Sequence, residues 1–184
     1  MLPSRQAAIG RATPTRRLDH VPSIESARTI LRCLKDAGVT FVASLPDGSL
    51  ASLIEVLDQS NDFIHVPLSR EEEGVGVCTG AYFGGRRCAL LMQNAGLLNS
   101  CNGIVTTALQ FEIPMLLLVL YAGARGDMAF PQLGQYTEPV LSALRIPHYL
   151  LDDLAKAPEL IGGALTQAYN FKKPVAILLD KGVL

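Results

Sequence analysis

Apolar residues behind Ser23 recur at helical spacing. Ala27, Ile30, Leu31, Leu34 and Ala37 fall on one stripe, and Gly38 ends the run. Ser23 offers an N-cap oxygen, with Glu25 and Ser26 in the first turn. The period then changes. Residues 39–45 read VTFVASL, apolar and β-branched, the pattern of a buried strand, and Pro46-Asp47-Gly48 breaks it with a sharp turn. Ser49 can cap a helix through residue 57, with Leu50, Leu53, Ile54 and Leu57 inward. A short strand is predicted over 63–67, a helix over 72–83 and a strand over 88–92. A polar turn at 93–96 leads into a helix over 98–111 that turns Ile104, Val105, Ala108 and Leu109 inward. Residues 114–121, PMLLLVLY, form a wholly apolar strand, placed centrally for that reason. A Gly-bearing loop over 122–134 precedes a short helix over 138–144, with Pro139 in its first turn, and a strand over 147–151. A helix over 157–171 and a strand over 174–179 complete the chain.

Strands alternate with helices six times. Continuous apolar strands call for cover on both faces, so the fold class is α/β: a doubly wound, six-stranded, mainly parallel sheet with helices on both sides. Crossovers are expected to be right-handed, and ligands to sit at the carboxyl ends of the strands. Four polar turns fall there: 46–48, 68–71, 93–96 and 123–127. No internal repeat or low-complexity segment is visible.

The 184 residues suffice for one domain with a sizeable core, expected over 21–184. Residues 1–20 carry Arg5, Arg11, Arg16 and Arg17 with Pro3 and Pro14, lack the apolar centre of a secretory signal, and read as a flexible tail. A cytoplasmic location is the expectation. Net charge is −1 and no basic run extends beyond Arg16-Arg17, which argues against nucleic acid. Residues 115–121 are too few to span a bilayer. Cys33, Cys78, Cys88 and Cys101 make no CxxC pair and are expected to be reduced thiols, with no metal held.

The familiar catalytic and nucleotide-binding motifs are missing. No GxGxxG follows the first strand, and neither GxxxxGK[ST] nor HExxH occurs. His20 lies in the tail, His65 in a strand and His148 at a strand's start, each reading as structural or surface. Glu71, Glu72 and Glu73 open the helix that follows the second strand, and acids there favour the helix dipole. For Glu72 and Glu73 that role suffices. Behind Glu71, however, come Gly74, Gly76, Thr79, Gly80 and Ala81, read as a small-residue face allowing close approach of a second helix or a flat ligand. A carboxyl group in that setting would be desolvated, which favours its protonated form.

Glu71-x-x-Gly74 with Gly80-Ala81 resembles the Glu-x-x-Ala…Gly segment of the pyrimidine-binding (Pyr) domain of thiamine-diphosphate enzymes. Asn94-Ala95-Gly96-x-x-Asn99-x-x-x-Gly103 resembles that family's Gly-Pro-Gly-x-x-Asn-x-x-x-Gly turn. More narrowly, SREEEGVGVCTGAYFGG, LLMQNAGLLNS and IPMLLLVLY are similar to the α subunits of sulfopyruvate decarboxylases and to the related phosphonopyruvate decarboxylases, over about residues 23–184. The chain departs from them at Gly48, Ala95 and Leu133.

The resemblance implies a 2-oxo acid decarboxylase that uses thiamine diphosphate as its electron sink. Glu71 would be catalytic, donating a hydrogen bond from its protonated carboxyl to N1′ of the aminopyrimidine. Gln93, Asn94, Ala95, Gly96 and Asn99 would line the pyrimidine pocket. The Gly-Asp-Gly…Asn motif that holds the diphosphate through Mg2+ is absent, so a second polypeptide, the PP-domain (β) subunit, is expected to carry metal and diphosphate. Pyr domains also pair with one another. The substrate would be a short 2-oxo acid with a second anionic group, sulfopyruvate or phosphonopyruvate, and Pro46, Asp47 and Arg125 are the candidates to meet it. A plain turn role for Pro46-Asp47 and a solvated Arg125 stay open, as does a doubly wound binding module without catalysis.

Overall fold

The computed structural model describes residues 23–124 and 127–184. The tail expected over 1–20, His20 and Arg125 lie outside the described residues. Six strands form one sheet: β1 (Phe41–Ser44), β2 (Ile64–Pro67), β3 (Cys88–Gln93), β4 (Leu116–Leu120), β5 (His148–Leu151) and β6 (Val175–Leu179). Their order is β2-β1-β3-β4-β6-β5 and every pairing is parallel. The α/β, doubly wound expectation holds.

Helices α1 (Ile24–Asp36), α2 (Ala51–Asp58) and α7 (Ala157–Phe171) cover one face. Helix α3 (Glu71–Phe83), the α4 (Asn94–Asn99) and α5 (Cys101–Gly103) segments, and α6 (Pro131–Ala143) cover the other. The strand pleat sorts the core. Leu116, Leu118 and Leu120 of β4 meet the first layer, while Leu117 and Val119 meet the second. All five β4 residues are fully buried, as their unbroken apolar run requires. The edge strands β2 and β5 keep exposed positions.

Ser23 caps α1 through Ser26 N, and Gly38, at φ 89°, ends the turn behind it. Three expectations are corrected. The helix foreseen over 138–144 begins at Pro131, so Pro139 sits inside it. The polar turn foreseen at 93–96 is not a loop: β3 ends at Gln93 and α4 starts at Asn94 with no intervening residue. The helix foreseen over 98–111 is in fact interrupted at Ser100, where ψ is 0°, and continues as a π-helical stretch, Ile104–Leu109. Short polar residues obscured this continuity, because Asn and Gly are as common in turns as at helix starts.

Three of the four cysteines are buried and Cys101 is half-buried; all are free thiols. Among the described residues no helix is long and apolar enough to cross a membrane, and no cluster of His, Cys, Asp and Glu could hold a metal ion.

Candidate active site

The chain leaves β1 for β2 on one side and returns to place β3 on the other, so the carboxyl ends of β1 and β3 flank a topological switch point. The turn after β1, the start of α3 and the end of β3 lie at that edge and carry Asp47, Glu71 and Gln93.

The three consecutive acids at the start of α3 do three different things. Glu73 Oε2 accepts from Ser69 N at 3.1 Å and closes the entry turn. Glu72 accepts from Asn102 Nδ2 at 3.3 Å and lies against Gly103, where an added Cβ would come within 3.0 Å of its Cγ. Glu71 turns toward α4. A Cβ built on Gly96 would stand only 2.5 Å from Glu71 Oε1, so the side chain rests on bare backbone. Among the described residues the Glu71 carboxyl makes no hydrogen bond, and it remains partly exposed. The dry environment expected for it is therefore not built by this chain alone.

The small residues behind Glu71 do not share one face, contrary to expectation. Gly74 and Thr79 are buried against the sheet, and a Cβ on Gly74 would meet Leu68 Cδ1 at 2.6 Å. Gly76 and Gly80 face outward with open space around them. At 100° per residue, positions 74 and 76 point to nearly opposite sides.

The α4 residues separate likewise. Asn94 is fully buried and its side chain points inward: Nδ2 donates to the Ala122 carbonyl at 2.8 Å and to Thr137 Oγ1 at 2.9 Å. That pins the start of α4 to the end of β4 and to α6. Its Oδ1, and Ser100 Oγ, are buried without a partner. Gly96 is buried, Ala95 is half-buried and Asn99 is exposed at the end of α4. Gln93 Nε2 donates to Asp47 Oδ2 at 3.3 Å, joining the ends of β3 and β1. Asp47 Oδ1 accepts from Ser49 N at 2.8 Å, so Asp47, not Ser49, caps the turn that opens α2. Pro46 is exposed beside it.

The loop after β4 is fixed by Asp127, which accepts from Gly123 N and Ala129 N at 2.9 Å each and pairs with Lys181. Burial alone would raise the Asp127 carboxyl, but the Lys181 ammonium and the two N–H groups outweigh it and hold the pKa at about 2. The Tyr121 hydroxyl shares its one proton between Glu138 Oε1 at 2.8 Å and Gly134 O at 3.1 Å, and burial, with Glu138, pushes its pKa to about 12.

Sequence reasoning passed over one group. His65 bridges Ser44 and Asp58 through hydrogen bonds at Nε2 and Nδ1. Only alternation along β1 and β2, which turns Val42, Ser44 and His65 to one face, hinted at the contact.

Glu71 over a cradle with no Cβ, its carboxyl unpaired and standing at the ligand edge of a parallel sheet, is the arrangement of a cofactor-binding α/β enzyme domain. The chain belongs to the thiamine pyrophosphate enzyme family: the model for the N-terminal TPP binding domain matches residues 24–138. It is 39% identical to sulfopyruvate decarboxylase subunit alpha of Methanococcus maripaludis, covering 85% of this chain and 95% of that one. The corresponding subunit of Methanocaldococcus jannaschii is 35% identical, covering 82% and 90%. A phosphonopyruvate decarboxylase of Streptomyces viridochromogenes is 25% identical over 86% of this chain but only 41% of its own length. Among solved structures, a 2-oxoglutarate:ferredoxin oxidoreductase from Magnetococcus marinus shares the fold, with TM-score 0.66, 16% identity, and coverage of 86% of this chain and 29% of that one.

Proposed function

We propose that this chain is the α (Pyr) subunit of a two-subunit thiamine-diphosphate-dependent 2-oxo acid decarboxylase acting on sulfopyruvate. The observation that carries the reading is the Glu71–Gly96 packing: a carboxyl without a protein partner, held by backbone at the strand ends. The residues present fit the pyrimidine end of the cofactor. When bound, thiamine diphosphate supplies the electron sink for loss of carbon dioxide. Glu71 would meet the pyrimidine ring through its carboxyl, in a hydrogen bond at N1′. Gly96 leaves room for that carboxyl, and Ala95 and Asn99 lie on the same short helix. Asn94 contributes by fixing α4, its amide already engaged at Ala122 and Thr137. Gln93 orients Asp47, which with Pro46 faces the substrate end. Arg125 is the proposed partner of the substrate's second anion.

Two features support a second polypeptide carrying the PP domain, Mg2+ and the diphosphate. Glu71 is only partly covered by its own chain. A longer sulfopyruvate decarboxylase of Methanosarcina acetivorans matches 83% of this chain over 39% of its own length. Pairing of Pyr domains is supported by the open glycines of α3, with Phe83, Val105 and Phe111 exposed on α3 and the segment beside it.

The test is reconstitution. The chain alone should release no carbon dioxide from sulfopyruvate, and mixing with a PP subunit, thiamine diphosphate and Mg2+ should restore release. Glu71→Gln should abolish turnover while leaving the thermal midpoint unchanged, and wild-type turnover by that variant would refute the assignment. Product analysis with phosphonopyruvate in parallel decides the substrate.

A further inference from the structure

Beneath the Pro46-Asp47 turn three side chains form a chain that the proposed chemistry does not use. Ser44 Oγ lies 2.8 Å from His65 Nε2, and His65 Nδ1 lies 2.5 Å from Asp58 Oδ1. Ser44 is fully buried, the His65 side chain is 7% exposed, and that of Asp58 is 61% exposed. The partners dictate the tautomer. A carboxylate only accepts, so Nδ1 carries the proton and donates to Asp58. In the neutral ring Nε2 then accepts from the Ser44 hydroxyl. The same order of groups activates a serine nucleophile in hydrolases. Here the serine has no exposed surface, so no substrate carbonyl reaches its oxygen, and the arrangement serves as a brace.

What it braces follows from the topology. Ser44 is the last residue of β1 and Asp58 the last of α2, and His65 stands on edge strand β2. The segment between Ser44 and Asp58 contains Asp47, so both ends of that segment are tied to one imidazole. The Ser44 carbonyl also accepts from Leu68 N at 2.8 Å, at the start of the turn that leads to Glu71. Asp47 and Asp58 line a single open groove of about 730 Å³, together with Pro46 and Glu55. A shift of His65 therefore moves the Asp47 turn relative to Glu71.

We propose that the Asp58–His65–Ser44 chain sets the position of the Asp47 turn, making His65 a positioning residue for the substrate end of the site. This rests on the reading that Asp47 faces substrate. His65 touches neither substrate nor cofactor and acts through geometry.

Two measurements test it. Long-range 1H–15N correlation spectra of the full chain should show the His65 proton on Nδ1, and Asp58→Asn should remove that preference. A ring protonated at Nε2 alone would overturn the brace. In the reconstituted complex, His65→Gln should raise KM for the 2-oxo acid by about tenfold to a hundredfold, leaving thiamine diphosphate affinity unchanged. In an Asp47→Ala background the same substitution should cost nothing further. An unchanged KM, or losses that add, would overturn the proposal. Ser44→Ala removes only the inner bond and repeats the comparison where His65→Gln folds poorly. Activity surviving Glu71→Gln would refute the role given to Glu71 instead, while the tautomer result stands by itself.

Discussion

Gly96→Ala puts the site geometry to its sharpest test. The added methyl would stand 2.3 Å from Glu71 Cγ and 2.5 Å from its Cδ and Oε1, where ordinary contact begins at 3.4 Å. One partner must give by about 1.1 Å, the difference between the closest of those distances and ordinary contact. The α4 backbone is the stiffer of the two, since Asn94 anchors it to Ala122 and Thr137. Glu71 is a flexible, partly exposed side chain, so it is the group that moves. The stability terms nearly cancel: overpacking costs about 1–3 kcal/mol, less against a side chain that can swing away, and replacing a helical glycine by alanine returns about 0.5–1 kcal/mol. In a domain of this size the thermal midpoint should move by no more than about 4 °C. Function should respond differently, because a misplacement near 1 Å can cost about a hundredfold in rate. The assays are carbon dioxide release by the reconstituted enzyme, calorimetric titration with thiamine diphosphate in the presence of the partner, and thermal denaturation. Wild-type turnover and cofactor affinity in Gly96→Ala would refute the cradle. A collapse of the thermal midpoint would show that α4, not Glu71, had yielded.

Asn94→Asp should destabilise the chain by more than about 3 kcal/mol, because a buried carboxylate oxygen would replace the amide N–H that now faces the Ala122 carbonyl; a urea midpoint near that of the wild type would contradict this orientation. Asp127 binds its proton more weakly folded, at about 2, than its ordinary value of 3.8. The stability it contributes is therefore complete above about pH 4 and lost as pH falls toward 2. Amide exchange at Gly123 and Ala129, whose N–H groups it accepts, should lose protection over that interval and lose it at higher pH in Lys181→Ala. Protection that persists at pH 2 would show that the loop is held by other contacts.

The strands, the α/β class and the candidate glutamate were all legible in the amino-acid sequence. Strands of a doubly covered sheet must be continuously apolar, and the glycines and prolines between them mark their ends, so residues 88–92 and 114–121 could be read without a partner in view. The family resemblance, too, was carried by short motifs around Glu71 and Asn94. Contacts between segments distant in the chain emerged from the folded arrangement alone: the rest of Glu71 on Gly96, the inward turn of Asn94, the different partners of Glu72 and Glu73, and the bridge from Ser44 through His65 to Asp58. Periodicity reports how one segment meets its surroundings on average. It says nothing about which atom stands opposite, and that depends on a strand order, β2-β1-β3-β4-β6-β5, that no local pattern encodes.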